Sequence, residues 1–225
     1  MADFKTHISF GIALGILGMI GIVSVSLSSD PGLLLAAFVA ATLGSVLPDI
    51  DSDSGVPYHV TFGSLALVAG ALAFAEYSRY GVVDWRLFLY YAVGTALFVW
   101  VVVGTVFKHF TRHRGMAHSI PAAILTGLCA FMLCSRCAFD DPESFLIGSA
   151  ASVGYLIHLV LDEVYAAANF NGIIFSPSRS LGSALKMFSH SLFMNVVMYG
   201  TIVFLCVVNL LRLRTLFTFF VGRFD

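Results

Sequence analysis

The sequence predicts an all-α fold, a polytopic helical bundle embedded in a membrane with about seven transmembrane helices. Three observations predict it. Of 225 residues, 59% are hydrophobic and 11% charged, against about 45–50% apolar residues in a soluble domain. Mean hydropathy is +0.92. The apolar residues gather into seven segments, about 8–28, 31–48, 60–77, 86–107, 118–136, 143–165 and 191–211, near the roughly 20 residues a bilayer-spanning helix needs. They use most of the chain, so residues 1–225 read as a single transmembrane domain. A net charge of −1 gives no sign of nucleic-acid binding.

The first segment has only Lys5 ahead of it, exceeds a signal-peptide core in length, and ends in "SVSLSSDPG", a turn without a cleavage pattern. It is expected to stay as a helix, and its Gly11 and Gly15 allow close helix approach. The second segment is short and the third follows soon after, so these two are expected to be shallow or tilted. The fourth leads into "KHFTRHRGMAH", the densest polar stretch of the chain. The fifth ends in "CSRC"; Cys134 and Cys137 have no second cysteine pair to complete a zinc site and read as small apolar residues. The sixth carries the small-residue face "GSAAS" and, within the helix, His158 and Asp162. The seventh precedes a C-terminal tail.

Parity of the crossings is informative. Residues 1–7, 47–59, 108–118 and 163–191 are each separated by two crossings and fall on one side of the membrane. That side collects six of the seven histidines, at 7, 59, 109, 113, 118 and 190, together with Asp49, Asp51 and Asp53. His158 and Asp162, four apart, share a helix face that runs toward the same side. Ionisable residues in or beside a membrane are costly and usually paired or functional.

Histidine and aspartate together suit zinc or manganese. An extended turn after Pro48 would aim Asp49 and Asp51 in one direction. His113 and His118 lie roughly 140° apart on an unbroken helix, and Gly115 can bend the chain so that both converge. The candidate ligands are therefore His7, Asp49, Asp51, His113, His118, His158 and Asp162. Seven ligands exceed one tetrahedral ion and suit two divalent ions, zinc first and manganese second. Arg114 is the candidate anion clamp, Ser119 a hydrogen-bond donor to a ligand, and Asp162 or Asp51 the general base. Lys186 and Arg179 are further candidate phosphate contacts. His59, His109 and His190 read as polar anchors, Asp53 as a turn residue, and Lys108 and Arg112 as interfacial charges.

"LPDID", "HRGMAHS" and "GYLIHLVLDE", with the N-terminal "THISFG" and the late "SLGSALKMFSHS", resemble the YdjM-like family of LexA-associated inner-membrane proteins, over nearly the whole chain. Ala117 departs from the Thr or Phe such motifs often carry. The resemblance implies a multi-pass protein of the bacterial inner membrane, a metal-dependent hydrolase, with His7, Asp49, Asp51, His113, His118, His158 and Asp162 at its metal site.

Two functions follow. One is hydrolysis, by a metal-activated water, of a phosphoester or related bond in a membrane lipid or polyprenyl phosphate. The other is transport of a metal ion or proton by the same cluster, although transport sites tend to lie near the bilayer midplane on broken helices and these ligands sit at helix ends. A metal that only staples the fold for a partner is a third reading. Lysine and arginine divide six to six between the two sides, so charge assigns no orientation.

Overall fold

The computed structural model describes residues 2–51, 56–78, 84–103, 118–137, 139–167, 182, 184–189 and 191–224. Among them the fold is all-α. The helices are α1 (Phe4–Ser24), α2 (Pro31–Gly44), α3 (Val56–Ser78), α4 (Trp85–Leu97), α5 (Ile120–Cys137), α6 (Asp141–Ala167), α7 (Leu192–Val208) and α8 (Leu210–Phe224). A 3₁₀ turn, Leu47–Asp51, follows α2, and a π-helical segment, Phe98–Val103, continues α4.

Polar caps set where the apolar runs begin. Asp3 accepts the Thr6 N–H at 2.8 Å and starts α1 earlier than hydropathy suggests. Asp30 accepts the Leu33 N–H at 2.7 Å, with Pro31 at the first helical position. Asp84 and Ser191 cap α4 and α7 in the same way. Before α6, Asp140 accepts the Glu143 N–H at 2.9 Å and Glu143 reaches back to the Asp140 N–H at 3.3 Å, a reciprocal pair that satisfies two otherwise orphaned donors.

Helix α6 is the centre of the bundle and packs against α5, α2 and α1. Its buried face, from Ser144 through Gly148, Ala151, Tyr155 and His158 to Asp162, follows the three-and-four spacing of one helix side. Ala122 and Ala123 of α5 pack there on Tyr155 and Leu159. The crossing with α2 is glycine on glycine. A Cβ added to Gly154 would lie 2.1 Å from the Ala41 carbonyl oxygen, and one added to Gly44 2.2 Å from the Ala151 carbonyl oxygen. Helices α3 and α4 pair with each other, and α3 reaches α5.

Outward faces are apolar: Leu67, Tyr90, Phe193 and Leu211 are each more than 70% exposed. Lipid, rather than water, is the solvent that tolerates such a surface. Among the described residues, three helical stretches are long and apolar enough to cross a membrane by themselves: Phe4–Ser24, Trp85–Val102 and Asp141–Ala167. The pair Leu192–Val208 and Leu210–Phe219, bent by 68°, adds up to one more, while Pro31–Gly44, Phe62–Phe74 and Ile120–Arg136 are shorter apolar helices. Among the described residues the full-length candidates are thus fewer than the seven apolar segments. With 14 residues at about 1.5 Å rise each, α2 covers little more than two thirds of a hydrocarbon core of about 30 Å.

The seventh segment also ends sooner than expected. The chain breaks at Asn209, which is buried and donates its side-chain amide to the Leu205 carbonyl at 2.8 Å. The tail is helix α8. Arg212 ties it to the start of α6 through Asp141 Oδ1 at 3.0 Å and to the end of α5 through the Ser135 carbonyl at 3.3 Å. Both side chains of this ion pair are about a third exposed, so Arg212→Ala is expected to cost no more than about 1 kcal/mol in thermal unfolding.

Candidate metal centre

Five of the predicted ligands meet at one point. His7 comes from the first turn of α1, Asp49 from the 3₁₀ turn, His118 from the residues just ahead of α5, and His158 and Asp162 from the last third of α6. The capped start of α1 and the glycine crossing of α2 with α6 bring these ends together. His7 and His158 are fully buried, and His118 and Asp162 are at most 3% exposed. Asp49 is the most open of the five, with 15% of its side chain exposed.

The two carboxylates face the imidazoles with both of their oxygens. Asp49 Oδ1 lies 3.6 Å from His118 Nε2 and 3.5 Å from His158 Nε2. Asp162 Oδ2 lies 4.0 and 3.8 Å from the same nitrogens. On the other side, His7 Nε2 is 3.4 Å from Asp162 Oδ1 and 4.0 Å from Asp49 Oδ2. The rings of His7 and His158 stack with centroids 3.6 Å apart, and His118 meets His158 edge-on at 5.7 Å.

These separations discriminate between two kinds of site. A hydrogen bond between such atoms is about 2.7–3.2 Å long. Ligand atoms at about 2.0–2.1 Å from a shared tetrahedral ion lie about 3.3–3.5 Å from one another. The observed 3.4–4.0 Å is longer than a hydrogen bond and begins at the tetrahedral spacing, which leaves space for an ion between the donors. Consistent with it, both ring nitrogens of His7, Nε2 of His158 and Oδ2 of Asp162 are buried and make no hydrogen bond among the described residues. Buried polar atoms of this kind are rare and costly unless something else satisfies them. The carboxylates point the same way, since Asp49 and Asp162 bring two negative charges to one buried place, which a divalent cation compensates.

The surroundings fix the ligands. The Nδ1–H of His158 donates to the Ser45 carbonyl at 2.8 Å. A carbonyl only accepts, so the lone pair of the neutral ring sits on Nε2, facing the carboxylates. Ser45 itself is fully buried, and its neighbour across the helix crossing is Gly11, where an added Cβ would lie 2.0 Å from Ser45 Oγ. Asp162 Oδ1 accepts the backbone N–H of Ala2 at 3.1 Å. Burial opposes ionisation of Asp49, but the imidazoles of His118 and His158 beside it outweigh that effect and hold its carboxyl well below the usual carboxylate range.

Other predicted residues fall differently. Asp51 ends the 3₁₀ turn. That backbone is not extended, so alternation along a strand gives Asp49 and Asp51 no common direction, and the Asp51 side chain lies outside the described residues. His113, Arg114, Gly115, Asp53, Lys108, His109, Arg112, Arg179 and His190 lie outside them too. Ser119 is fully buried and accepts the Ala122 N–H at 3.3 Å, which makes it a cap for α5. His59 is exposed on α3 and is not one of the clustered donors. Three partners were invisible in the sequence: the carbonyl of Ser45 and the amide of Ala2, because backbone atoms carry no residue signature, and Glu163, which follows a ligand and looks like an ordinary helix-end acid.

The family described as YdjM inner membrane protein matches the chain over residues 1–180. All five clustered residues lie within that range, whereas "SLGSALKMFSHS" falls almost wholly after it. No curated protein and no solved structure matches the chain.

Proposed function

Since the chain belongs to the YdjM family of inner membrane proteins, a multi-pass family, we propose that it is a membrane-embedded, metal-dependent hydrolase acting on a phosphoester or related bond of a lipid or polyprenyl phosphate. The observation that carries this reading is the convergence of three imidazoles and two carboxylates from four separate segments at spacings suited to a shared ion.

The residues fit two divalent ions, zinc in preference to manganese. His118 and His158 with Asp49 Oδ1 and Asp162 Oδ2 supply one set of donors, and His7 with the opposite carboxylate oxygens supplies part of another. Asp51 and His113 are proposed to complete the second. A bound divalent ion supplies Lewis acidity, which makes water a nucleophile near neutral pH and offsets charge on the leaving oxygen. The chain's own residues do the rest. Asp49 and Asp162 hold the negative charge of the pocket, the Ser45 carbonyl orients His158, and Asp51 or Asp162 takes a proton from the attacking water. Arg114 is proposed to hold the substrate's anionic oxygens in its planar fork.

Placement favours a membrane substrate. The ligands lie at helix ends, in the last turns of α6 and the first turn of α1, where a lipid headgroup would sit. A transport site would be expected nearer mid-helix. The test is turnover by the purified protein with zinc or manganese, across phospholipids and polyprenyl phosphates. The expected result is metal-dependent release of a phosphorylated or phosphate product, lost in Asp49→Ala. Absence of turnover across the panel, with saturable zinc uptake into proteoliposomes, would replace hydrolysis by transport.

A further inference from the structure

Residues 182 and 184–189 form a strap that touches three helices, and two of its anchor points, Glu163 and Ser119, each follow a clustered ligand in the sequence. At one end the Glu163 carboxylate accepts the N–H of Gly182 and, at 3.3 Å, that of Ala184. Glu163 is the residue after Asp162. In the middle, Lys186 pairs with Ser119 in a parallel bridge, and its carbonyl accepts the Ile120 N–H at 3.1 Å. Ser119 is the residue after His118. At the far end the strap is fixed to α7: Ser189 N–H donates to Asn195 Oδ1 at 2.8 Å, the Asn195 amide returns a bond to the Ser189 carbonyl at 2.9 Å, and Tyr199 Oη donates to the Met187 carbonyl at 2.8 Å.

We propose that this strap is a latch over the metal centre, hinged on α7 at Asn195 and Tyr199 and fastened by Glu163; the proposal rests on the metal-centre reading above. Four of the five clustered residues are at most 3% exposed, so an ion or a substrate oxygen enters only after something opens. The strap is suited to that task. It is held by a few backbone bonds, it joins Glu163 of α6 to Ser119 and Ile120 at the start of α5, and its Ala184 is buried while Leu185, Met187 and Phe188 stay exposed. Gly182 turns the chain at a positive φ of 82°, which lets its N–H face Glu163 at little steric cost. Both fastening bonds at the Glu163 end accept on one carboxylate. Charge-assisted bonds are the stronger kind, so a single side chain controls most of the closure.

The test uses the full-length protein in detergent, loaded with zinc alone and then mixed with an excess of chelator. Glu163→Ala removes both acceptors, and Glu163→Gln keeps the shape and one neutral acceptor oxygen. Zinc release is expected to quicken by at least roughly ten-fold in Glu163→Ala and by less in Glu163→Gln, with zinc stoichiometry unchanged. Amide exchange at Ile120, Gly182 and Ala184 is expected to speed up in both variants. Equal release rates with equal exchange in wild type and Glu163→Gln would overturn the latch. If wild type binds no zinc, the metal-centre reading fails, and the exchange rates of wild type and Glu163→Gln still decide whether Glu163 fastens the strap. If Glu163→Ala fails to fold, Glu163→Gln alone decides.

Discussion

Asp162→Ala is expected to abolish measurable zinc or manganese binding. Asp162 gives one oxygen toward His118 and His158 and the other toward His7, so its loss strips a donor from both halves of the cluster at once. Loss of a partner that merely supports a ligand typically costs 10–100-fold in metal affinity, and loss of a ligand shared by two sets of donors is expected to exceed about 100-fold. The stability readout is equally direct. Ligand at about 100 times its Kd adds about 2.7 kcal/mol to the folded state, so zinc should raise the thermal midpoint of wild type and leave Asp162→Ala where it was. Without metal the two proteins should differ little, because the substitution also removes one of two neighbouring buried carboxylates. His158→Ala should match Asp162→Ala, whereas His59→Ala, exposed on α3 and outside the cluster, should bind metal as wild type does. A zinc-dependent rise in Asp162→Ala equal to that of wild type would dismiss the cluster as a metal centre.

Gly154→Leu is expected to damage the bundle and the site together. Even a methyl at this position would lie 2.1 Å from the Ala41 carbonyl oxygen and 2.9 Å from its carbon. Those are backbone atoms of α2 and cannot swing aside as a side chain can. Overpacking a core usually costs about 1–3 kcal/mol, and a clash against helix backbone on a crossing with glycine on both sides should reach the top of that range. The effect should extend to metal binding. His158 is one turn along from Gly154, and its partner Ser45 directly follows Gly44, so prying α6 from α2 stretches the 2.8 Å bond that sets the His158 ring. Thermal unfolding in detergent and zinc stoichiometry should both fall. Gly18→Ala, where an added Cβ meets nothing within 4 Å, serves as the control. If Gly154→Leu unfolds like Gly18→Ala and binds zinc normally, the crossing does not position the site.

Much of this was legible in the order of residues, and for local reasons. An apolar run of helical length is helix wherever it sits, although its start is set by capping aspartates that hydropathy does not mark, Asp3, Asp30, Asp84 and Asp140. Counting crossings then put His7, Asp49, His118, His158 and Asp162 on one side without any distance. The counting was less reliable for the spans themselves. Hydropathy cannot distinguish a 14-residue helix from a longer crossing when the turn that follows, residues 45–48, is also largely apolar, and it ran straight through the break at Asn209. The backbone around Asp49 differs from the expected extended turn, because "LPDID" coils into a 3₁₀ turn, yet Asp49 still faces the histidines.

The sequence by itself therefore determined the helical class, the membrane setting and which residue types gather at one end of the bundle. All three depend on composition and local periodicity. Tertiary structure decided that the donors stand 3.4–4.0 Å apart, that a backbone carbonyl presents the lone pair of His158, and that Glu163 holds the strap. Those outcomes depend on how closely α1, α2 and α6 cross, and that closeness is set by backbone against backbone at Gly44 and Gly154 and by the Ser45 side chain against Gly11, which no single segment specifies alone.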